Sequence, residues 1–579
     1  MRFEGFLNPF NLDDPSQLYI ISSGVAVPAD IADDIIKVED IGFVEKEKFI
    51  TERLLKNGPV VKDFFDPVSK PKLRSFDACN SITKLKTSQG NVIQYKEQGD
   101  LAFKLLIKSQ DLEEPITIEE LMTYSLTSIP HALGTPDGFM NKTMKSKSVK
   151  YLLKDVESEQ ISRKDKSILS IDDGNARLYW LIDVPNTFEE ICLKILEQLP
   201  KEVDVCFSTD MYFQQSIKSQ ERLRRGESDR LLIRGPKTRR PADFKKFLSN
   251  AENKTQLFKL MLKSWNTESA APHLNGRNVF LIVEGKAHKL TSSDAKRVVT
   301  TEEPSMRSNH EESDSRFIIY TQWAQDNAYK AVCVRCSDAD VFFILLKYAS
   351  SFEITIYLDM GTKNNRKMIN VSEVASDLGE EYCDALLGMH AFTGDDANCA
   401  FKGKGKLNPL KQLTKKPKYQ KTFRKMGNML QLNDNFLQEI EAFTCDLYGH
   451  PRKKNIDEVR ALMIRKMAGS GKEEFSSSKV DLSRLPTCRC SLIPHIKRAN
   501  LRVYQWKKSH DPFPELPPPT SHGWEMDENG RLTPVWSEGP ILPPSLTEHV
   551  LDLNQSPFEE SDLAELDISS DEDEDEENH

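Results

Sequence analysis

The 579-residue chain predicts an α/β fold, a mainly parallel sheet flanked by helices. Three observations carry that expectation. Short apolar runs of strand length recur from residue 165 onward, and a segment with helical spacing falls between the first two of them. Three of these runs end in aspartates, where open parallel sheets gather function beyond the carboxyl ends of their strands. The runs also lack the alternation of a half-solvated sheet, as expected of strands covered on both faces.

The elements follow in order. KSILSIDDG reads as a strand ending at Asp172 and Asp173. TFEEICLKILEQL places Phe188, Ile191, Ile195 and Leu196 at helical spacing. VDVCFSTD is a second strand ending at Asp210. NVFLIVEG, KAVCVRCSDADVFFILLKYA and FEITIYLDM read as buried strands, and 286–312 reads as a polar loop before a helix. Proline and glycine dominate 509–547, which implies extended, irregular chain. The expected division is 1–150, without a readable role; 151–430, the α/β core with a basic segment; 431–550, helical then proline-rich; and 551–579, a disordered acidic tail.

Composition narrows the function classes. No run approaches the roughly 18 consecutive apolar residues of a membrane span, so no membrane partner is expected. The start, MRFEGFLNPFNLDDPSQ, lacks a basic leader and an apolar core, which predicts an intracellular protein; of the two compartments, the nucleus is expected ahead of the cytoplasm. Ten scattered cysteines give no disulfide framework. Cys333 and Cys336 sit in an apolar run as strand residues, and Cys488 with Cys490 has no second pair at zinc spacing. The net charge of −10 includes twelve carboxylates between Glu559 and Glu577; −10 + 12 leaves +2 for the rest. That tail is suited to basic protein partners, and Ser569 and Ser570 precede its acid run as phosphorylation candidates.

The motifs resemble a known family. SDADVFFIL resembles the flap-endonuclease/XPG pattern, a PIN-type 5′-nuclease fold in which a strand delivers Asp-x-Asp, here Asp338 and Asp340. HEESDSRFIIY resembles that family's Glu-x-Glu helix, with Glu312 and Asp314 at the paired positions. AFTGDDANCAFKGKGKLNPLKQL resembles its Gly-x-Asp followed by Gly-x-Gly and a helix, with Asp396 seven residues before Gly403. ILSIDDGNA aligns best on Asp173, with Asp172 competing, and Asp210 takes the second strand's acidic position. The resemblance implies that Lys218, Arg222, Arg224 and Arg225 approach the scissile phosphate, and that Gly403, Lys404, Gly405 and Lys406 open a helix-hairpin-helix-type DNA-binding segment. HEESDSR, DADV, HAFTGDD and HIKRANLRVYQW…HGW also resemble a group of mobile-element-like animal proteins.

The physical logic stands beside the family. A phosphodiester backbone repels hydroxide, and two Mg²⁺ or Mn²⁺ ions about 4 Å apart can activate water and stabilise the leaving oxygen. Such hard ions need carboxylate oxygens from several segments. Asp173, Asp210, Glu312 and Asp314 are expected to serve one ion, and Asp338, Asp340 and Asp396 the other. Seven crowded acids repel one another without a cation. The glycines at 403 and 405 allow backbone N–H groups near a phosphate, and the lysines at 402, 404, 406, 411, 415, 416, 418 and 421 add a counterion-releasing face.

Other residues read as structural. His310 and His390 suit caps or packing; Ile496, Leu501, Tyr504 and Trp506 suit the inner face of a helix; Trp524 and Trp536 suit anchors for the C-terminal segment. The expectation is a metal-dependent, structure-selective nuclease acting on branched or flapped DNA, or on RNA. Its alternative is a catalytically silent nucleic-acid-binding or scaffold protein on the same fold.

Overall fold

The computed structural model describes residues 116–468 and 482–545 apart from gaps of one or two residues, together with 18, 27, 29–55 and 61–65. The acidic tail, Ser569 and Ser570, and much of the N-terminal region lie outside the described residues.

Eight strands build one sheet: β1 Ile168–Asp173, β2 Val205–Ser208, β3 Val279–Val283, β4 Lys286–Thr291, β5 Val299–Glu302, β6 Ala331–Arg335, β7 Thr355–Met360 and β8 Lys367–Asn370. Their order is β5-β4-β3-β2-β1-β6-β7-β8. The central five, β3-β2-β1-β6-β7, are parallel. β4, β5 and β8 run antiparallel at the edges. The mainly parallel sheet flanked by helices is therefore observed.

Two readings are corrected. Residues 286–312 are not one loop, because Lys286–Thr291 turns back on β3 and Val299–Glu302 pairs with it. A polar edge strand meets solvent on one side and needs no apolar pattern. Residues 339–348 are a helix, not a strand. Almost every one of them is buried, so the helix is apolar all round and shows no polar stripe. Asp338 supplies its N-cap, accepting from the Asp340 N–H at 3.0 Å.

The parity of the strands decides what each face carries. Leu169 and Ile171 of β1, Cys206 of β2 and Phe280 and Ile282 of β3 join one core with the helices Ser313–Asp326, Ala339–Tyr348 and Glu380–Phe392. Val205, Phe207, Val279 and Leu281 join a second core with the helices Phe188–Gln198 and Ala251–Trp265. Successive side chains point to opposite faces. Asp173 therefore follows Leu169 and Ile171 to the first face, while Asp172 follows Ser170 to the other. There Asp172 pairs with Arg177 and lines a separate cavity with Arg335 and Asp359.

The 19-residue helix Arg489–Lys507 packs on Glu380–Phe392 and buries Ile496, Leu501 and Trp506; Tyr504 is half-buried. Trp524 is buried in the same core, and Trp536 lies against Gly134, where an added Cβ would meet its ring at 2.8 Å. Among the described residues no helix is long and apolar enough to cross a membrane.

Gly174 shows how tightly the first strand end is set. A Cβ there would meet the Ser208 carbonyl oxygen and the Phe207 ring, each at 2.6 Å. Gly174→Ala is expected to cost roughly 1–3 kcal/mol, the usual range for overpacking. Urea unfolding checks it, and an unchanged midpoint would mean that β1 and β2 end further apart.

Candidate metal and nucleic-acid site

Adjacent parallel strands finish at one edge, and the aspartates that follow them act first as caps. Asp173 pairs in register with Ser208 at the end of β2. Its carboxylate accepts from the Ala176 N–H at 3.1 Å, capping the helix Gly174–Tyr179. Asp210, two residues beyond β2, accepts from the Ser313 N–H at 2.8 Å and so fixes the start of Ser313–Asp326. That helix carries Asp314 in its first turn. Buried Arg316 secures the junction by donating to the carbonyls of Thr209 at 2.6 Å and His310 at 3.0 Å. Asp395 and Asp396 follow the Glu380–Phe392 helix through Gly394. Its φ of +108° and the Ala400 Cβ within 2.7 Å of an added methyl leave no room for a side chain.

Carboxylate oxygens of Asp314, Asp338 and Asp340 lie within 4.8 Å of one another. This trio draws from both of the groups into which the sequence divided the acids. Asp173 joins through Cys336, whose Sγ donates to it at 3.5 Å. Burial first, then the charge of Asp210, pushes the Asp173 carboxyl up to about 7, with Asp338 adding to it. Burial also holds the Asp314 carboxyl well above its usual range, opposed by Lys218 and reinforced by Asp338, Glu312 and Asp210. Burial and Asp340 raise Asp338.

A lysine stands among the acids. The Lys145 ammonium lies 3.2 Å from Asp338, 2.9 Å from Asp340 and 2.9 Å from Asp396. Burial opposes its charge, but the three carboxylates outweigh burial and hold the ammonium well above its usual range. Asp340 also accepts from His390 Nε2 at 2.9 Å. Burial favours the charged form of neither Asp340 nor Asp396. Even so, Lys145 with His390 holds Asp340 well below the carboxylate range, and Lys145 with Lys218 holds Asp396 at about 2.

Glu312 is engaged elsewhere. Arg502 clamps it with two bonds of 2.9 Å, and Lys218 reaches it at 2.8 Å. Against the cost of burial, these cations hold its carboxyl at about 2. The basic helix Ser219–Arg225 is likewise paired within the protein. Arg222 meets Glu311 at 2.6 Å; Arg224 and Arg225 meet Glu221 at 2.8 and 2.7 Å; Arg225 also lies 3.6 Å from Asp396.

Gly403 and Gly405 both take positive φ, +74° and +60°, just before the helix Leu407–Lys415. Lys404 is half-buried with its ammonium 3.8 Å from the centre of the Tyr448 ring. Lys406 corrects the reading of a solvent-facing basic turn. It is buried and donates inward to the His390 carbonyl at 2.5 Å and Thr393 Oγ1 at 3.0 Å. Burial pulls its pKa down to about 7, against the pull of Asp395 and Asp340. Lys402, Lys411, Lys415, Lys418 and Lys421 remain exposed.

Several residues of the site escaped the sequence reading. Lys142 and Lys145 come from the segment given no role, and Lys142 donates to the carbonyls of Asp395 and Asp396 at 3.1 and 2.9 Å. Arg502 sits in a helix read only for its apolar face. Asp395, beside the chosen Asp396, lies 3.5 Å from Arg502. No local pattern marks a lysine that finds its acids some 190 to 250 positions away. An arginine flanked by apolar residues in a helix is a weak hint that its charge is buried and paired.

The donors suit a hard divalent cation, being carboxylate oxygens from separate segments. Asp340 Oδ2 is buried and has no hydrogen-bond partner among the described residues, with the Arg502 guanidinium 4.0 Å away.

No protein-family model matches the chain, and no curated protein matches it. Among solved structures it is similar to the catalytic core of Rad2 in complex with DNA substrate. For complex II the TM-score is 0.29 at 12% identity, covering 64% of this chain and 99% of that one. For complex III it is 0.26 at 12% identity, covering 61% and 95%. Overlaps of that size leave the reading of this chain to its own residues.

Proposed function

We propose that this chain is a metal-dependent, structure-selective nuclease that hydrolyses phosphodiester bonds in branched or flapped DNA. One observation carries the reading: oxygens of Asp314, Asp338 and Asp340 within 4.8 Å of one another, with Asp173, Asp210 and Asp396 around them. Bound Mg²⁺ or Mn²⁺ would supply an activated water and a counter-charge for the leaving oxygen. The trio would hold the first ion, and Asp173 and Asp210 would contribute to a second. Arg225, exposed and 3.6 Å from Asp396, and Lys218, 2.8 Å from Glu312, would exchange a carboxylate for a substrate phosphate. The exposed lysines of Leu407–Lys415 and Pro417–Lys425 would grip the duplex backbone without reading bases. In the family resemblance these two helices are the helix-hairpin-helix-type segment.

A second reading has its own observation. With Lys145 bonded to three of the acids, the cluster is partly neutralised by the protein itself. A nucleic-acid-binding protein that never cuts could keep its acids in that way.

Cleavage, read beside metal titration, separates the two. The Asp173 carboxyl stands at about 7 against roughly 3.9 in an unfolded chain. A raised folded pKa gives stability that is complete below the lower value and lost as pH rises through the upper one. Metal must displace that proton, so Mn²⁺ affinity should rise between pH 6 and 8. Asp173→Asn should reduce this rise in calorimetric titration, the raised carboxyls of Asp314 and Asp338 carrying the remainder. Cleavage of a flapped duplex with Mg²⁺ or Mn²⁺ should follow the same profile. DNA binding without cleavage in either metal would favour the silent protein.

A further inference from the structure

We infer that the exposed basic face made by Leu407–Lys415, Pro417–Lys425 and the loop 449–455 is a docking surface for the chain's own acidic run, residues 559–577. The docking owes nothing to the nuclease reading above; only its consequence for DNA rests on it.

The cations of this face divide into two sets. Lys416, Arg424, Lys425 and Lys453 pair with Asp446, Glu381, Glu439 and Glu458. Lys415, Lys421, Arg452 and Lys454 are exposed and meet no carboxylate among the described residues. Lys411 and Lys415 stand four apart and Lys418 and Lys421 three apart, so each pair shares one face of its helix. Gln412 donates to the Asp446 carbonyl at 3.0 Å, which holds the end of the helix Asp434–Leu447 against Leu407–Lys415. The loop with Arg452 and Lys454 leaves from that end and so extends the same basic surface.

Two observations name the occupant. The first is charge: residues 559–577 hold twelve carboxylates and no lysine or arginine, and every residue of 571–577 is acidic. Drawn out, such a run offers one charge about every 3.4 Å, the phosphate spacing along one DNA strand. The second is where the last described residues are held. The Ile541 carbonyl accepts from the Leu126 N–H at 2.9 Å, and Leu542 packs with Ala461 and Ile464 of the helix Ile456–Ala468. That helix starts directly after the basic loop. At 1.5 Å per residue, Ala461 stands about 10 Å along it from the loop. The 17 positions from Leu542 to Glu559 can span up to about 56 Å, several times that distance.

Tethering makes weak docking count. A segment on a short linker is present at an effective concentration in the millimolar range, so it competes with nucleic acid for the same lysines. Tail and duplex then exclude each other on this face. Ser569 and Ser570 stand directly before the run of acids, and a phosphate on either would favour the docked state.

The test compares the full chain with a full-length variant whose acids at 571–577 are replaced by their amides, from Asp571→Asn through Glu577→Gln. Carbodiimide, which joins carboxylates to amines in contact, is applied to each, and products are mapped by mass spectrometry of the monomer band. Cross-links from 559–577 to Lys415, Lys421 or Lys454 are expected in the full chain, and a blunt duplex should suppress them. In anisotropy titration of that duplex in Ca²⁺, the variant should bind about tenfold tighter. Absence of these cross-links overturns the inference even if the variant binds more tightly, because general charge repulsion then suffices. Cross-links found only between two chains overturn it in favour of a second copy as the occupant. Equal, measurable duplex affinity of both proteins also overturns it. The expected cross-links, with neither protein binding DNA, uphold the docking and remove the nuclease reading.

Discussion

Asp338→Ala combined with Asp340→Ala is expected to lower metal-dependent cleavage by more than about a hundredfold, beyond the 10–100-fold typical of residues that only orient metal ligands. The two residues supply two of the three carboxylates that come within 4.8 Å of one another. DNA affinity should hold or increase, because the substitution removes negative charge that faces a polyanion. The variant should also lose some stability, because Asp340 now pairs with Lys145 and His390, so circular dichroism must show it folded. Lys145 would retain Asp396 at 2.9 Å. The measurement is single-turnover cleavage beside fluorescence-anisotropy binding. A double variant that still cuts within tenfold of wild type would remove the trio from the chemistry.

Lys145→Met is expected to give the largest change in stability. Removing one member of a buried ionic cluster typically costs 3–5 kcal/mol, because the remaining charges lose their compensation. Here Asp338, Asp340 and Asp396 would face one another without the ammonium that now bonds all three. The metal-free variant should therefore unfold at distinctly lower urea, by roughly 3 kcal/mol. Mn²⁺ should restore more stability to the variant than to wild type, since the ion would replace the missing charge. Equal Mn²⁺ stabilisation of both proteins would show that lysine and metal do not share a place.

The sequence made the sheet legible where burial is two-sided and the runs are short. KSILSIDDG, VDVCFSTD and NVFLIVEG appear as β1, β2 and β3, and the strand-to-helix turn after β1 gives Asp173 its capping role. Legibility failed where one physical pattern has two outcomes. The run Val341–Leu346 is apolar on every side because its helix is enclosed, and composition alone does not separate that from a strand. Strand β4 and the edge strand β5 were missed for the opposite reason, since their mostly polar, part-exposed residues carry little apolar signal.

The clustered acids Asp314, Asp338 and Asp340 were legible because they lie in local motifs in a fixed order. The choice between Asp172 and Asp173 needed the parity of β1, which the core residues Leu169 and Ile171 settle. The cations were not found. Lys145 and Arg502 reach their partners across some 110 to 250 positions, and the packing of the Arg489–Lys507 helix on Glu380–Phe392 brings Arg502 to Glu312. Lys406 was misread as surface because its GKGK turn looks solvated, whereas its side chain threads back to Thr393.

The central claim is that divalent cations sit among side chains of Asp314, Asp338 and Asp340. Anomalous diffraction from a Mn²⁺-soaked crystal measures this directly. The account predicts a manganese peak bonded to oxygens of these three residues at about 2.0–2.6 Å, with the Lys145 ammonium displaced from Asp340. No peak there, with Lys145 still bonded to Asp338, Asp340 and Asp396, would contradict it.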